Sequence, residues 1–440
     1  MYYFIGIKGS GMSALACCLH DLGYEVEGSD IEKELFTEEG LKQRNIKILP
    51  FNQKNIKENM TIIKGNSIKE DNEELQKAIE LGLTIHTYPE MVGKLTKMWR
   101  TITVAGCHGK TTTASLLSLV LDNLQGANYL IGDGTGHANK ENKYFVLEAC
   151  EYKRTFLNYS PYYALITNID LDHIDYFKDI DDVIDAYREY ANNAEKMVIA
   201  CGDDQYTHSL EINKPIFYYG IDEDNDIIAK DVEYTEKGTS FDVFVEDNYY
   251  GHFDLPIFGK HNLLNALAVI SVCYYERLEA KDVAKELKNF NGAKRRFQET
   301  IVKDSVVIDD YAHHPSEIKA TIKAIKQKHQ NKQIVVVFQP HTFSRTEKFK
   351  DNYIEILSSV DKAYIMDIYP ARENEEDYSI TSEYLIKKIK KSEKINIDEA
   401  EKLLKHNNSI ILFASPNDIS KLENDYIKLK NEEWPFIFFK

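Results

Sequence analysis

Residues 101–113, Thr-Ile-Thr-Val-Ala-Gly-Cys-His-Gly-Lys-Thr-Thr-Thr, constrain this chain more than any other stretch. Ile102 and Val104 predict the end of a strand, Gly106 and Gly109 a tight turn, and residues 114–124 a helix burying Leu116, Leu117, Val120, Leu121 and Leu124. Glycines without a Cβ let main-chain N–H groups close round phosphate oxygens, and the helix start adds unpaired donors and partial positive charge. Lys110 can reach the terminal phosphates and the Thr111 hydroxyl can ligate magnesium. Gly106, Cys107, His108, Gly109, Lys110, Thr111 and Thr112 are therefore expected to cradle a nucleoside triphosphate. The loop is a shortened GxxGKT: Val104 and Ala105 stand near the place where the common pattern has its first glycine. A bland small-residue turn before a core helix leaves Lys-Thr-Thr at the helix start unexplained.

At 440 residues the chain has room for about three domains, expected at 1–97, 98–298 and 299–440. A hydrophobic fraction of 43% places it among globular proteins, and a net charge of −17 argues against a sequence-independent grip on nucleic acid. The six cysteines show no spacing of a zinc site or disulfide framework, and no apolar run reaches 18 residues. The expectation is a soluble, cytoplasmic protein with no membrane insertion, as a monomer or homodimer.

The first segment opens with a strand, Tyr2 to Ile7, then Gly6-x-x-Gly9-x-Gly11, a helix from Met12 to Leu22, and a second strand ending at Asp30. A glycine-rich βαβ opening with an acidic residue about 20 positions on is close to a dinucleotide fingerprint, but its glycine order differs. Taken alone, it fits a nicotinamide cofactor, another nucleotide diphosphate, or a structural turn equally well. Lys94 to Arg100 is expected to link this unit to the next.

In the second segment the strand Tyr144 to Leu147 ends in Glu148-Ala149-Cys150-Glu151, and Tyr163 to Thr167 ends in Asn168-Ile169-Asp170-Leu171-Asp172-His173. In a doubly wound parallel sheet, C-terminal strand ends share one edge with the phosphate loop. Glu148 and Thr111 supply hard oxygens for magnesium; His173 can hold a second cation, orient a phosphate, or simply cap a helix. Residues 215–256 are expected to form appended antiparallel hairpins. A helix then starts at Gly259-Lys260-His261-Asn262, whose polar first turn suits an adenine edge or phosphates and equally a plain helix cap. Arg295-Arg296 is a basic cluster able to neutralise a transferring phosphoryl group.

From Val306 strands and helices alternate again, with helices expected at Ser316 to Lys328, Arg345 to Leu357 and Ser382 to Lys391. Successive strand ends carry Asp309-Asp310-Tyr311-Ala312-His313-His314, Gln339-Pro340-His341-Thr342-Phe343-Ser344-Arg345 and Asp367 to Glu373, three polar lips of one cleft.

These motifs, in this order, resemble the Mur ligase family over nearly the whole chain. The resemblance implies three α/β domains: a Rossmann-like N-terminal domain, a P-loop doubly wound centre with appended antiparallel strands, and a Rossmann-like C-terminal domain. Carried residue by residue, it puts ATP phosphates on Gly106 to Thr112, one magnesium on Thr111 and Glu148, and a second on His173. It puts adenine by Asn262, ribose by Asp310 and phosphates by Arg296, with Lys110, Glu148, His173 and Arg296 catalytic. His314 and Arg345 would touch phosphate or substrate. Gly9, Ser10, Gly11, Met12, Ser13 and Asp30 would bind a UDP-sugar, which resolves the ambiguity of the opening turn in favour of a uridine nucleotide.

The implied reaction is ATP- and magnesium-dependent joining of L-alanine to the lactyl carboxylate of UDP-N-acetylmuramate, the first amino-acid addition in peptidoglycan precursor synthesis. A relative that attaches a recycled tripeptide to the same sugar nucleotide is the nearest rival, and a nucleotide-gated regulatory ATPase a more distant one. Thr342 stands where many relatives have arginine, and Ala414-Ser415-Pro416-Asn417-Asp418-Ile419 replaces a glycine-rich segment. No lysine lies between Lys178 and Lys196 to be carbamylated, as in the alanine-adding branch. The position of Cys107 inside the loop raises the question of thiol reactivity.

Overall fold

Buried apolar runs alternating with amphipathic helices build three α/β layers in the computed structural model, which describes residues 1–432. Residues 433–440 of the expected third unit lie outside the described residues. The first sheet is parallel and Rossmann-like, in the order Lys47–Leu49, Val26–Ser29, Tyr2–Ile5, Thr61–Lys64, Thr84–Thr87. Its first strand stops at Ile5, two residues short of expectation, because Gly6 takes φ +87° and turns the chain towards the helix Ser10–Asp21. The expected linker at Lys94 to Arg100 is shorter than its bounds: the helix before it and the strand after it take both of its ends, leaving Thr96 to Trp99 as the connection. Thr87 and Glu90 form a capping box on the helix Tyr88–Leu95, and Arg100 already begins the strand Arg100–Ala105.

The middle sheet has ten strands, parallel from Ala127–Leu130 across to Ile227–Thr235 and antiparallel at both ends. Alternate residues of its central strands feed opposite cores. Tyr144 and Val146 face the helices Lys110–Gln125 and Lys260–Tyr275, while Phe145 and Leu147 face Ile180–Asn192 and the first domain's helix Ser10–Asp21. In Lys110–Gln125 the side chains of Leu116, Leu117, Val120 and Leu121 are fully buried, each contributing about 1.5–3 kcal/mol. Antiparallel hairpins form from Ile227–Thr235, Gly238–Val245 and Asn248–Leu255. Ile216–Gly220 departs from that expectation and pairs parallel on both sides; the Asp203 carboxylate accepts the N–H groups of Ile221 and Asp222 at 2.9 and 3.2 Å, turning the chain after it.

The third sheet runs Gln298–Val302, Ser305–Asp310, Ser409–Ala414, Gln333–Phe338, Lys362–Ile365, Ser392–Lys394, with only the first strand antiparallel. Ser409–Ala414 separates the strands that carry the first two polar lips, so these are not neighbours. The helix expected at Arg345 to Leu357 is two, Phe343–Lys348 and Lys350–Ser358, broken at Phe349, whose ring meets His314 edge-on at 4.7 Å. Ser382–Lys388 ends three residues early because Ile389 is extended, with ψ 125°. Among the described residues no helix is long and apolar enough to cross a membrane.

Candidate active site

The phosphate loop follows the strand Arg100–Ala105, and its two glycines are required by the space around them. Gly106 has φ +143° and a Cβ there would sit 1.9 Å from Thr167 Oγ1; Gly109 has φ +81° and a Cβ would sit 2.4 Å from Asn265 Oδ1. Asn168 clamps the turn by accepting the His108 N–H at 2.9 Å and donating to the His108 carbonyl at 2.8 Å. Among the described residues no side chain caps the helix Lys110–Gln125, which leaves its first-turn N–H groups available to an anion. Lys110 Nζ donates to the Gly106 carbonyl at 2.5 Å and to the Glu151 carboxylate at 3.0 Å. Burial alone would lower the lysine's pKa; Glu151 outweighs it and keeps the ammonium charged. The Cys107 thiol is buried and donates to the Asp170 carbonyl at 2.9 Å. Burial pushes its pKa well up, so it stays a thiol with little nucleophilicity.

Thr111 Oγ1 donates to Glu148 Oε1 at 3.2 Å, Arg296 Nη2 lies 3.5 Å from the same hydroxyl, and the Gly132 N–H donates to Glu148 Oε2 at 2.8 Å. A hydroxyl and a carboxylate beside a phosphate loop fit magnesium, which prefers hard oxygens completed by phosphate and water. His173, with φ +50°, stands with Glu151: its Nε2 is 3.5 Å from Glu151 Oε1 and its ring lies against Tyr152 at 4.8 Å. Its buried Nδ1 has no hydrogen-bond partner among the described residues. Cys150, Glu151 and His173 bring their ligand atoms within 4.8 Å of one another. His173 thus shares Glu151 with Lys110, and Thr111 with Glu148 forms the neighbouring group.

Between the middle and C-terminal sheets lies a cavity of about 750 Å³ reaching from Gly109 and Thr112 past Asn262 and Arg296 to Asp310, a volume suited to a nucleotide. Phe258 and Phe297 supply aromatic faces on its wall, with ring centroids 5.8 Å apart. The Asn262 amide donates to the Phe258 carbonyl at 2.8 Å and Asn262 Oδ1 accepts from Asn265 at 3.2 Å. Asp310 accepts the N–H groups of Phe297 and Ala312 at 3.0 and 2.8 Å; burial raises its pKa to about 6 against the pull of Arg296.

The C-terminal domain is docked on the phosphate loop. His108 Nε2 is 3.2 Å from Asp170 Oδ2 and 3.0 Å from Ser316 Oγ, its Nδ1 is 3.3 Å from Glu317 Oε1, and its ring is 4.8 Å from that of His314. Arg345, expected at the lip as a phosphate or substrate contact, is buried with its donors engaged by protein. Nε and Nη2 donate to Asp172 at 3.0 and 2.5 Å, and Nη1 to the His341 carbonyl at 3.2 Å. Burial pushes His313 down to about 4 and His341 to about 3, so both rings are neutral. Thr342 begins the helix Phe343–Lys348 with φ +66° and is buried. The segment that replaces the glycine-rich motif holds the interdomain connection: Arg295 pairs with Asp309 at 3.0 Å and donates to the carbonyls of Ser415 and Asn417 at 2.8 and 3.1 Å.

The first domain's turn lies on its own sheet. Asp30 accepts the N–H groups of Lys8 and Ile31 at 2.7 and 2.8 Å, Gly9 precedes the helix Ser10–Asp21, and the side chains of Met12 and Ser13 are buried beneath the turn. Gly11 leaves room for the Tyr88 ring, 2.6 Å from where a Cβ would stand. Residues 131–135 connect this turn to the phosphate loop's neighbourhood. Gly132 holds Glu148, and a Cβ on Gly134 would lie 3.2 Å from Ser13 Oγ.

Asn168, Glu151, Asp170, Asp172 and Glu317 carry much of this geometry, and the sequence alone assigns none of them a role. All but Glu317 lie in motifs the sequence marks, so the signal was polar residues at strand ends without an indication of their partners.

Three family models match in chain order: the Mur ligase family catalytic domain over residues 1–100, the Mur ligase middle domain over 104–273, and the Mur ligase glutamate ligase domain over 295–419. The fold is shared with the UDP-N-acetylmuramate-alanine ligase MurC of Thermotoga maritima, at 24% identity and a TM-score of 0.81 over 97% of this chain and 98% of that one. It is shared also with a murein peptide ligase of Psychrobacter arcticus, at 21% and 0.74 over 98% of each chain. The MurF ligase of Thermotoga maritima, solved in complex with ADP, matches at 18% and 0.67 over 87% of this chain and 98% of that one.

Proposed function

The chain belongs to the Mur ligase family of ATP-dependent ligases, and on that premise we propose that it joins L-alanine to the lactyl carboxylate of UDP-N-acetylmuramate, forming ADP and phosphate. The observation that carries the reading is the cavity that runs from Gly109 and Thr112 to Asn262 and Asp310, with Arg296 on its wall and the Thr111–Glu148 pair beside it. Its volume, and a lining that includes His108, Gly109 and Thr112 of the phosphate loop, support a bound ATP with its phosphates at the start of the helix that carries Lys110.

A free carboxylate is a poor acyl donor, so the lactyl carboxylate attacks the γ-phosphorus and becomes an acyl phosphate, with ADP leaving. The amine of L-alanine then adds to the acyl carbon, and phosphate departs from the tetrahedral species. Lys110 and Arg296 offset negative charge around the in-line transfer, and main-chain N–H groups of the loop orient the phosphates. Thr111 and Glu148 would hold one magnesium and His173 a second; such ions neutralise the triphosphate. The turn at Gly9 to Ser13, with Asp30 bracing it, would hold the UDP moiety, and residues 131–135 give the sugar end a route to Glu148. The docked C-terminal domain keeps water from the acyl phosphate.

The acceptor assignment draws support from the lip. Arg345 and Arg372 are already engaged by Asp172 and Asp175. That occupies two of the lip's arginines that could otherwise pair with the carboxylates of a peptide acceptor, and favours a small amino acid. Phosphate release measured with ATP and each substrate omitted in turn tests the reading: release that depends on both UDP-N-acetylmuramate and L-alanine supports it. Release indifferent to both would point instead to a regulatory ATPase.

A further inference from the structure

Three carboxylates of the loop that follows the strand Tyr163–Ile166, those of Asp170, Asp172 and Asp175, each engage the segment that follows a different strand of the C-terminal domain. Asp170 Oδ2 accepts from Ser316 Oγ at 3.3 Å, after the strand Ser305–Asp310. Asp172 Oδ1 accepts from Arg345 Nε and Nη2 at 3.0 and 2.5 Å, after Gln333–Phe338. Asp175 Oδ2 accepts from Arg372 Nε at 2.6 Å, after Lys362–Ile365, and the Arg372 guanidinium covers the Tyr152 ring at 4.5 Å. The same loop starts with Asn168, which grips both main-chain groups of His108. One segment of the middle domain is thus tied to the phosphate loop at one end and to three lips of the C-terminal domain along its length.

The central pair differs from the outer ones in burial: the Asp172 and Arg345 side chains are 8% and 5% exposed, whereas Arg372 is 44% exposed. Desolvating two charges offsets most of their attraction, so such a pair adds little net stability. Either charge buried without the other is heavily penalised, so the pair tolerates one docking geometry and rejects displaced ones. The planar guanidinium sharpens this, because its fork meets the carboxylate in one orientation.

We propose that Asp172 is a positioning residue that captures Arg345 when the C-terminal domain docks, setting the lip in the single orientation that shields the acyl phosphate from water. Arg345 then serves as the latch's other half, and its Nη1, 3.1 Å from His341 Nδ1, fixes that ring within the lip. The proposal rests on the ligase reading above. Without the latch, water adds to the acyl carbon in place of the amine and phosphate leaves. The free lactyl carboxylate is regenerated, so ATP is consumed with no amide formed.

The test uses the full chain with ATP, UDP-N-acetylmuramate and L-alanine and measures phosphate released against amide formed. The wild type gives a ratio of one. Asp172→Asn is expected to lower amide formation by roughly 10- to 100-fold while ATP affinity is kept and the ratio rises well above one; Asp175→Asn shifts the ratio the same way by less. Should Asp172→Asn fail to fold, Arg345→Lys, which keeps the charge and loses the fork, is read identically. Small-angle scattering with ATP alone reports docking without any acceptor: the variant should show a larger radius of gyration than the wild type. A wild type that does not use alanine overturns the ligase assignment while scattering still decides the latch. A variant with an unchanged ratio and an unchanged radius overturns the latch.

Discussion

His108 Nδ1 lies 3.3 Å from Glu317 Oε1, so the phosphate loop touches the first turn of the C-terminal domain's helix Pro315–Lys328 through one imidazole. Burial alone would lower the pKa of His108, but hydrogen bonds and charge from Asp170 and Glu317 outweigh it and raise the value from 6.5 to about 10. A raised folded-state pKa means a stabilising contribution fully present below about 6.5 and lost as pH rises through about 10. The unfolding temperature of the wild type minus that of His108→Gln should therefore be level below that window and shrink towards zero across it. A difference that does not vary with pH would show that the imidazolium contributes nothing to docking.

Lys110 and Glu151 form a buried pair at 3.0 Å, with the glutamate side chain 1% exposed. Lys110→Ala should abolish ligation and, by leaving that carboxylate short of its main partner, cost about 3–5 kcal/mol of stability. Lys110→Ala combined with Glu151→Gln should regain most of the stability and none of the ligation. Thermal melts alongside amide assays separate the two effects; a double variant as unstable as the single one contradicts the pairing.

Two glycines with positive φ give a contrast within one molecule. Gly82, at φ +63°, has no described atom within 4 Å of the place a Cβ would take, whereas Gly109, at φ +81°, faces Asn265 Oδ1 at 2.4 Å. Gly82→Ala should cost about 1 kcal/mol from backbone strain alone. Gly109→Ala should cost more and weaken ATP binding in an equilibrium titration. Equal effects in the two variants would mean that the loop relaxes freely.

Glu148 shares its Oε1 with the Thr111 hydroxyl at 3.2 Å. Glu148→Gln preserves shape and removes the charge, so the variant should need more magnesium to reach half-maximal rate, and chelation should silence the wild type. Magnesium titrations that superimpose for the two proteins would remove Glu148 from the metal site.

The sequence shows its local patterns well. The phosphate loop, the alternating strands and helices, and the polar strand ends are set by neighbours a few residues apart, where spacing and burial periodicity report directly on structure. What it could not show are pairings fixed by how domains dock. Asp172 and Arg345 are 173 residues apart, and nothing in either motif says that the arginine meets a carboxylate of the middle domain before it meets a substrate. Cys107 makes the same point within one domain: its place in the loop is legible, but its thiol's partner is the Asp170 carbonyl, 63 residues on, after the strand that neighbours its own in the sheet. Ile216–Gly220 reads as another hairpin strand because its partners on both sides lie outside its own pattern.

A docked site that activates the lactyl carboxylate and delivers L-alanine to it must leave its mark on the sugar nucleotide. The decisive experiment is mass spectrometry of the uridine-containing product formed from ATP, magnesium and UDP-N-acetylmuramate with equal L-alanine and L-alanyl-γ-D-glutamyl-meso-diaminopimelate. The expected product is heavier by one alanine residue. A product carrying the tripeptide, or ATP consumed with UDP-N-acetylmuramate left unchanged, would contradict the proposed reaction.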